Sequence, residues 1–164
     1  MYKTKLNRIN NLIERVKNDI NLPIISDFLE WFFEKLDIHF NKNISNLKLN
    51  KGDIVFVKLG KNIGSELNKT RPCLVYSNKL SNFGNTVIIV PLKSYKGKIN
   101  INFNIFIKSS ENTSLNKDSI VDISSIRQIS KKRIFKRIGK LDKKYLNEID
   151  SKIIKIFSIK KDMF

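Results

Sequence analysis

Between Lys51 and Asn78 the chain reads KGDIVFVKLGKNIGSELNKTRPCLVYSN. Two apolar runs flank a loop that carries Ser65, Glu66, Asn68, Lys69, Thr70 and Arg71. Long polar loops hung from rigid strands are where binding and catalytic groups concentrate. An acid, hydroxyls and an arginine in that setting suit a phosphate or a sugar hydroxyl, which points to chemistry on nucleic acid. A guanidinium stays charged at any working pH and grips two phosphate oxygens at once. As surface side chains, Ser and Asn also cap loops, and an exposed Arg also makes ordinary ion pairs.

Charge supports the same direction. The 164 residues include 32 Lys and Arg against 15 Asp and Glu, a formal net charge of +17. Such an excess favours a polyanionic partner, because cationic side chains displace counterions from phosphates. The abundance of Lys, Asn and Ile is also what an AT-rich coding bias produces. With 41% hydrophobic residues the chain can bury a core. Cys73 is the only cysteine, so an intrachain disulfide and a thiolate metal cluster are excluded. His39 is the only histidine, which rules out a two-histidine ribonuclease mechanism, and no metal-ligand spacing is present. No cofactor or metal is expected. The start, MYKTKLNRIN, has no apolar leader core, and no apolar run approaches a membrane span. A soluble, cytoplasmic protein is expected.

The elements that position these groups fall into two parts, residues 1–48 and 49–164. In the first, Leu6, Ile9, Leu12, Ile13, Val16 and Ile20 recur at helical spacing over Lys5–Ile20. Pro23 separates this from a second helix over Ile24–Phe40, with Asp27 and Glu30 spaced as a capping box. Phe28, Phe32, Leu36 and Phe40 form one stripe, widened by Ile25, Leu29, Trp31 and Phe33. So apolar a hairpin must dock on the main domain, swap across a dimer or receive a partner. The polar link Asn41–Asn50 reads as a hinge. Thereafter come short β runs, Asp53–Leu59, Pro72–Ser77, Thr86–Leu92, Phe103–Ile107 and Ser119–Ile123. A basic helical turn over Lys131–Arg137 follows, with Lys131, Lys132, Arg133, Lys136 and Arg137 clustered, and a last helix begins at an Asp142 N-cap. The predicted class is α+β, mainly β: a small, strongly twisted barrel with helices at its edges.

The blocks GDIVFVKLG, IGSE, KTRPCLVYSN, TVIIVPLKS, KDSIVDISSIRQISKKRI and IGKL resemble the MazF/PemK family of type II toxin–antitoxin toxins, in order and spacing, from about Gly52 to Asp150. The resemblance implies an SH3-like barrel with a C-terminal helix that forms a homodimer. It implies a sequence-selective, metal-independent endoribonuclease acting on single-stranded RNA, held inactive by a cognate antitoxin whose disordered segment lies over the RNA groove. Cleavage by the RNA's own 2′-hydroxyl, leaving a 2′,3′-cyclic phosphate and a 5′-hydroxyl, is also implied. Arg71 in the TRP block matches the family's catalytic arginine, and Glu66 and Ser65 match loop positions lining its RNA site. Glu66 would orient Arg71 or accept the 2′-hydroxyl proton, and Lys69 and Thr70 would contact RNA. Asn78 would read a base edge or a sugar, and Arg127 in SSIRQI would lie near the dimer and RNA surface.

The chain departs from the family at Lys93, where a threonine is usual, and Ser94 follows it. Either Ser94 supplies the hydroxyl, or Lys93 adds a second positive charge beside Arg71, or the nuclease is crippled. Two other functions on the same fold stand beside the nuclease: a non-catalytic toxin inhibiting DNA gyrase, and a non-catalytic nucleic-acid-binding protein.

Overall fold

The structure, a computed structural model, describes residues 2–17, 22–41 and 47–159. The chain falls into two compact units, Met1–Phe40 and Asn41–Phe164.

The first unit holds α1 (Tyr2–Val16) and α2 (Leu22–Phe40). The predicted end of the first helix, Ile20, lies outside the described residues, as does half of the 41–50 link, residues 42–46. Helix α2 starts two residues before the predicted Ile24, with Pro23 in its first turn. There the missing N–H has no helical acceptor to lose and the fixed φ suits the helix. Asp27 therefore lies inside the helix, and the predicted capping box does not form its start. Side chains Lys3 to Glu14 of α1 are exposed and α2 buries none, so Leu6, Leu12, Phe32 and Phe40 all face solvent. Among the described residues, no helix is long and apolar enough to cross a membrane.

The second unit is an antiparallel sheet of seven strands: β1 (Asp53–Lys58), β2 (Thr70–Val75), β3 (Thr86–Ser94), β4 (Asn104–Ile107), β5 (Ser119–Asp122), β6 (Arg127–Ser130) and β7 (Ile134–Lys140). It is followed by α3 (Lys143–Ile156). Neighbours run β4-β5-β3-β2-β1-β7, with β6 also on β3. β6 pairs with the first half of β3 and β5 with its last three residues, Leu92 to Ser94. A 3-10 turn at Ile123–Ser125 separates β5 from β6. Opposite that interruption sits Pro91, which has no N–H to donate to a ladder.

The predicted barrel is not closed, because β4 and β7 do not pair with each other. The segment after β4 bridges toward β7 instead: the Asn112 side-chain amide donates to the Lys140 carbonyl at 3.2 Å. At Gly139 an added Cβ would lie 1.9 Å from Ser114 Oγ and 2.4 Å from its Cβ, so only glycine lets the bridge seat.

Alternate side chains of the central strands point to opposite faces, and both faces are covered. Ile54, Leu74, Val90, Leu92 and Val121 pack with Tyr145, Ile149 and Ile153 of α3. Val55, Val57, Cys73, Val75, Val87 and Ile89 pack with Leu49, Ile129 and Ile134. Full burial of each such aliphatic side chain stabilises by about 1.5–3 kcal/mol. Helix α3 has the predicted Asp142 N-cap, which accepts the Lys144 N–H at 2.8 Å.

The predicted basic helical turn over Lys131–Arg137 is corrected. A 3-10 turn covers Lys131–Arg133 only, and the rest belongs to β7. Pairing of Val55 with Arg137 and of Phe56 with Lys136 fixes those residues as strand.

Candidate active site

The loop between β1 and β2 is closed at its neck by backbone hydrogen bonds. The Leu59 N–H donates to the Lys69 carbonyl at 3.0 Å, and the Lys69 N–H to the Gly60 carbonyl at 2.7 Å. Gly60 (φ 85°) and Lys69 (φ 68°) supply the left-handed turns that make this possible. Within the loop, the Asn62 N–H donates to Asn68 Oδ1 at 2.8 Å and its side-chain amide to the Leu67 carbonyl at 2.7 Å. Ser65 and Glu66 are left on the exposed tip.

β2 begins at Thr70, earlier than the predicted Pro72, so Arg71 sits in the sheet opposite Val57. Its Nε donates to the Asn68 carbonyl at 2.6 Å. The orienting partner of Arg71 is therefore a loop carbonyl and not Glu66. The β2–β3 ladder ends at the Cys73–Pro91 pair, and Arg71 and Lys93 each lie two residues past that end, on neighbouring strands.

Around these two residues lies an open groove of about 720 Å³. Lys69, Arg71, Lys93, Lys117, Lys136 and Arg137 give it positive charge. Thr70, Ser94, Thr113, Ser114 and Ser119 give hydroxyls, and Phe56, Pro72, Leu92, Leu115 and Ile138 an apolar floor. Among the described residues, no carboxylate lines it.

Behind Lys93 stands Asp122, whose Oδ2 is 3.0 Å from Lys93 Nζ. The side chain of Asp122 is 7% exposed and that of Lys93 34%. Ser124 Oγ donates to Asp122 Oδ1 at 2.7 Å and Ser125 Oγ to Oδ2 at 2.9 Å. Burial alone would raise the Asp122 carboxyl, but the hydrogen bonds from Ser124, Lys93 and Ser125 and the Lys93 charge outweigh it. The carboxyl is held below its ordinary value. On the other wall, Arg137 Nε lies 3.6 Å from the buried Asp53 carboxylate.

Of the predicted site residues, Arg71, Lys93, Ser94, Lys69 and Thr70 come together in the groove; Ser65, Glu66, Asn78 and Arg127 do not line it. Asn78 Oδ1 accepts the Ser81 N–H at 2.9 Å and so caps the turn at Ser81–Phe83. Arg127 is half-buried on β6 opposite Ile89. The Cys73 thiol is pushed up to about 12 by burial, against the lowering charges of Arg127 and Arg71. Burial, and after it the like charge of Arg127, also lowers the pKa of Arg133.

The predicted basic cluster divides. Lys131 is buried and donates from Nζ to the Asn82 carbonyl at 2.5 Å. Arg133 Nη1 reaches the carbonyls of Lys58 at 3.3 Å and Leu59 at 3.2 Å. Lys136 and Arg137 alone of the cluster line the groove. The far wall, Thr113 to Lys117, and Asp122 carry no local sequence signal. Only the β3–β5 register, which puts Ile120 opposite Lys93 and Asp122 diagonally beyond it, identifies the acid.

A family model described as a PemK-like, MazF-like toxin of type II toxin-antitoxin systems matches residues 50–157. The chain belongs to the PemK/MazF toxin family. Within that family it is similar to the Bacillus subtilis protein named Endoribonuclease EndoA, with 29% identity over 101 residues, 61% of this chain and 86% of the relative. It is also similar to Endoribonuclease MazF of Staphylococcus saprophyticus, with 27% identity over 106 residues, 64% of this chain and 88% of that one. In fold it resembles the crystal structure of MazF from Deinococcus radiodurans, with TM-score 0.59 and 17% identity over 70% of this chain and 100% of that one. It also resembles a mycobacterial endoribonuclease in complex with its cognate antitoxin, with TM-score 0.52 and 15% identity over 69% of this chain and 96% of the other. The PemK/MazF match begins after α1 and α2, so the first unit lies outside it.

Proposed function

We propose that this chain is an endoribonuclease toxin that cuts single-stranded RNA in the groove between the β2–β3 end and the 113–117 segment. The observation that carries this reading is the placing of Arg71 and Lys93 on facing strands in a groove lined by cations and hydroxyls without a carboxylate. A polyanion with exposed apolar bases fits such a surface: phosphates meet the cations and bases the apolar floor.

In the proposed reaction the 2′-hydroxyl oxygen bonds to the adjacent phosphorus and the bond to the 5′-oxygen breaks, leaving a 2′,3′-cyclic phosphate and a 5′-hydroxyl. Charge gathers on the phosphorane oxygens, where the Arg71 guanidinium and the Lys93 ammonium stabilise it. A guanidinium does not release its proton in proteins, so Lys93 is the group able to hand one to the leaving 5′-oxygen. Ser94 adds a hydroxyl donor. With no carboxylate in the groove wall, the 2′-hydroxyl proton passes to water, or to Glu66 when the RNA lies along the loop tip. The charge requirement is met by side chains, so cleavage proceeds in EDTA.

The same positive groove attracts an acidic antitoxin segment, which would block it by occupying the phosphate sites. Homodimerisation in the family's manner and a cytoplasmic setting complete the reading. The test is cleavage of mixed-sequence RNA in EDTA by wild type and by Arg71→Ala. Cleavage with cyclic-phosphate ends by wild type alone is expected. Wild-type cleavage no greater than the variant's, or dependent on added divalent metal, overturns the reading. Pull-down of gyrase with no RNA cut would favour the gyrase-inhibitor alternative.

A further inference from the structure

A lysine near the end of β3, in the same groove as Arg71, raises a physical difficulty. Two cations on facing strands repel, and a four-carbon stem leaves the ammonium free to swing into water. The structure contains a device that meets both problems. Asp122 lies one diagonal step from Lys93 across the β3–β5 ladder, since Lys93 pairs with Ile120. Its carboxylate is buried, with Oδ2 3.0 Å from Lys93 Nζ. Two hydroxyls, Ser124 at 2.7 Å and Ser125 at 2.9 Å, fix the carboxylate from the 3-10 turn that separates β5 from β6. A buried carboxylate without such partners would be costly. Here its oxygens accept three hydrogen-bonding groups, one of which is the groove lysine.

We propose that Asp122 is a positioning residue that holds Lys93 beside Arg71 as the second cation of the phosphate seat. Asp122 does not touch the RNA. It neutralises the repulsion between the two cations in the empty groove and restricts the ammonium to the arc facing Arg71. When a phosphate enters, Lys93 keeps one hydrogen to Asp122 and presents the others to the phosphate, because an ammonium has three donors. The pair offers a fixed donor at that point of the groove. The proposal rests on the nuclease reading for its catalytic consequence and on geometry alone for its effect on phosphate binding.

The test is a double-mutant cycle, Lys93→Met, Asp122→Asn and both, read in two assays. The first is kcat/KM for RNA cleavage, and the second is Kd for a 2′-O-methyl oligonucleotide that cannot be cut. Lys93→Met is expected to lose about 100-fold in kcat/KM and Asp122→Asn about 10-fold. The double variant should lose no more than Lys93→Met, since Asp122 acts through Lys93. Losses that multiply, or an Asp122→Asn protein as active as wild type, overturn the proposal. A purely structural role would lower kcat/KM equally with and without Lys93. If wild type cuts no RNA the nuclease reading fails, and the oligonucleotide cycle alone decides: coupled losses support the positioning role and independent ones overturn it. Should Asp122→Asn fail to fold, Ser125→Ala serves instead, because its hydroxyl shares Oδ2 with Lys93. A smaller loss, again absent in the Lys93→Met background, is then expected, and an equal loss in both backgrounds overturns the proposal.

Discussion

Two groups of cations, a few residues apart in the sequence, do opposite work. In the 3-10 turn after β6, Lys131 and Arg133 point inward and donate to the main-chain carbonyls of Asn82, Lys58 and Leu59. On β7, Lys136 and Arg137 line the groove that Arg71 and Lys93 enter from the other wall. The formal charges are identical and the neighbours are not. A cation that donates to main-chain carbonyls ties loops together. Cations gathered in one groove raise the local potential and draw in an anion, even where, as for Lys93 and Arg137, a carboxylate stands behind them. A net charge of +17 therefore says less about RNA than does the placing of six side chains in one groove.

The largest expected effect lies on the groove side of this contrast. Arg71→Ala should reduce RNA cleavage by about 100- to 1000-fold, as does loss of other single transition-state donors, with little change in the urea midpoint. A variant that unfolds, or one that cuts as fast as wild type, would break the contrast. On the other side, Lys131→Met should leave cleavage per folded molecule unchanged but destabilise the protein by about 1–3 kcal/mol, because the buried Asn82 carbonyl loses its donor. Urea denaturation followed by circular dichroism measures it.

Gly139→Ala sharpens the link between groove and scaffold. The added Cβ clashes with Ser114, and overpacking of this kind costs about 1–3 kcal/mol. Ser114→Gly in the same chain should restore the urea midpoint, and absence of rescue would show that the bridge does not seat on Gly139. The smallest effect is electrostatic. Lys136→Gln should lower the slope of log affinity against log salt for single-stranded RNA by about 0.7, whereas Lys132→Gln, in the 131–133 turn, should leave it unchanged.

Much of this arrangement was legible in the sequence. Strands β1 to β5 announce themselves through Val, Ile and Phe between turn residues, and α3 through Asp142 and the Tyr145–Ile149–Ile153 stripe; β6, with a single Ile in RQIS, does not. The family blocks single out Arg71, Lys93 and Ser94, which line one groove. β7 was not legible. IFKRIGK has exposed Phe135, Lys136 and Arg137 in a row, so neither alternation nor a helical stripe is present, and long-range pairing with β1 decides its state. Glu66 stands beside Ser65 in the sequence block, but the backbone bonds that close the loop neck carry both to the tip. Asp122 reads as one more strand residue until the register places it diagonally from Lys93. Local pattern tells what a segment becomes, while the meeting of distant groups depends on register.

The pairing of the first strand with the last has a consequence for synthesis. β1 is made early and β7 some eighty residues later, yet Phe56 and Lys136, partners across that ladder, both line the groove. A ribosome adding about 5–20 residues per second therefore carries for several seconds a chain that already has Arg71 and Lys93 but lacks one wall of its groove. The groove is complete only once β7 has paired with β1.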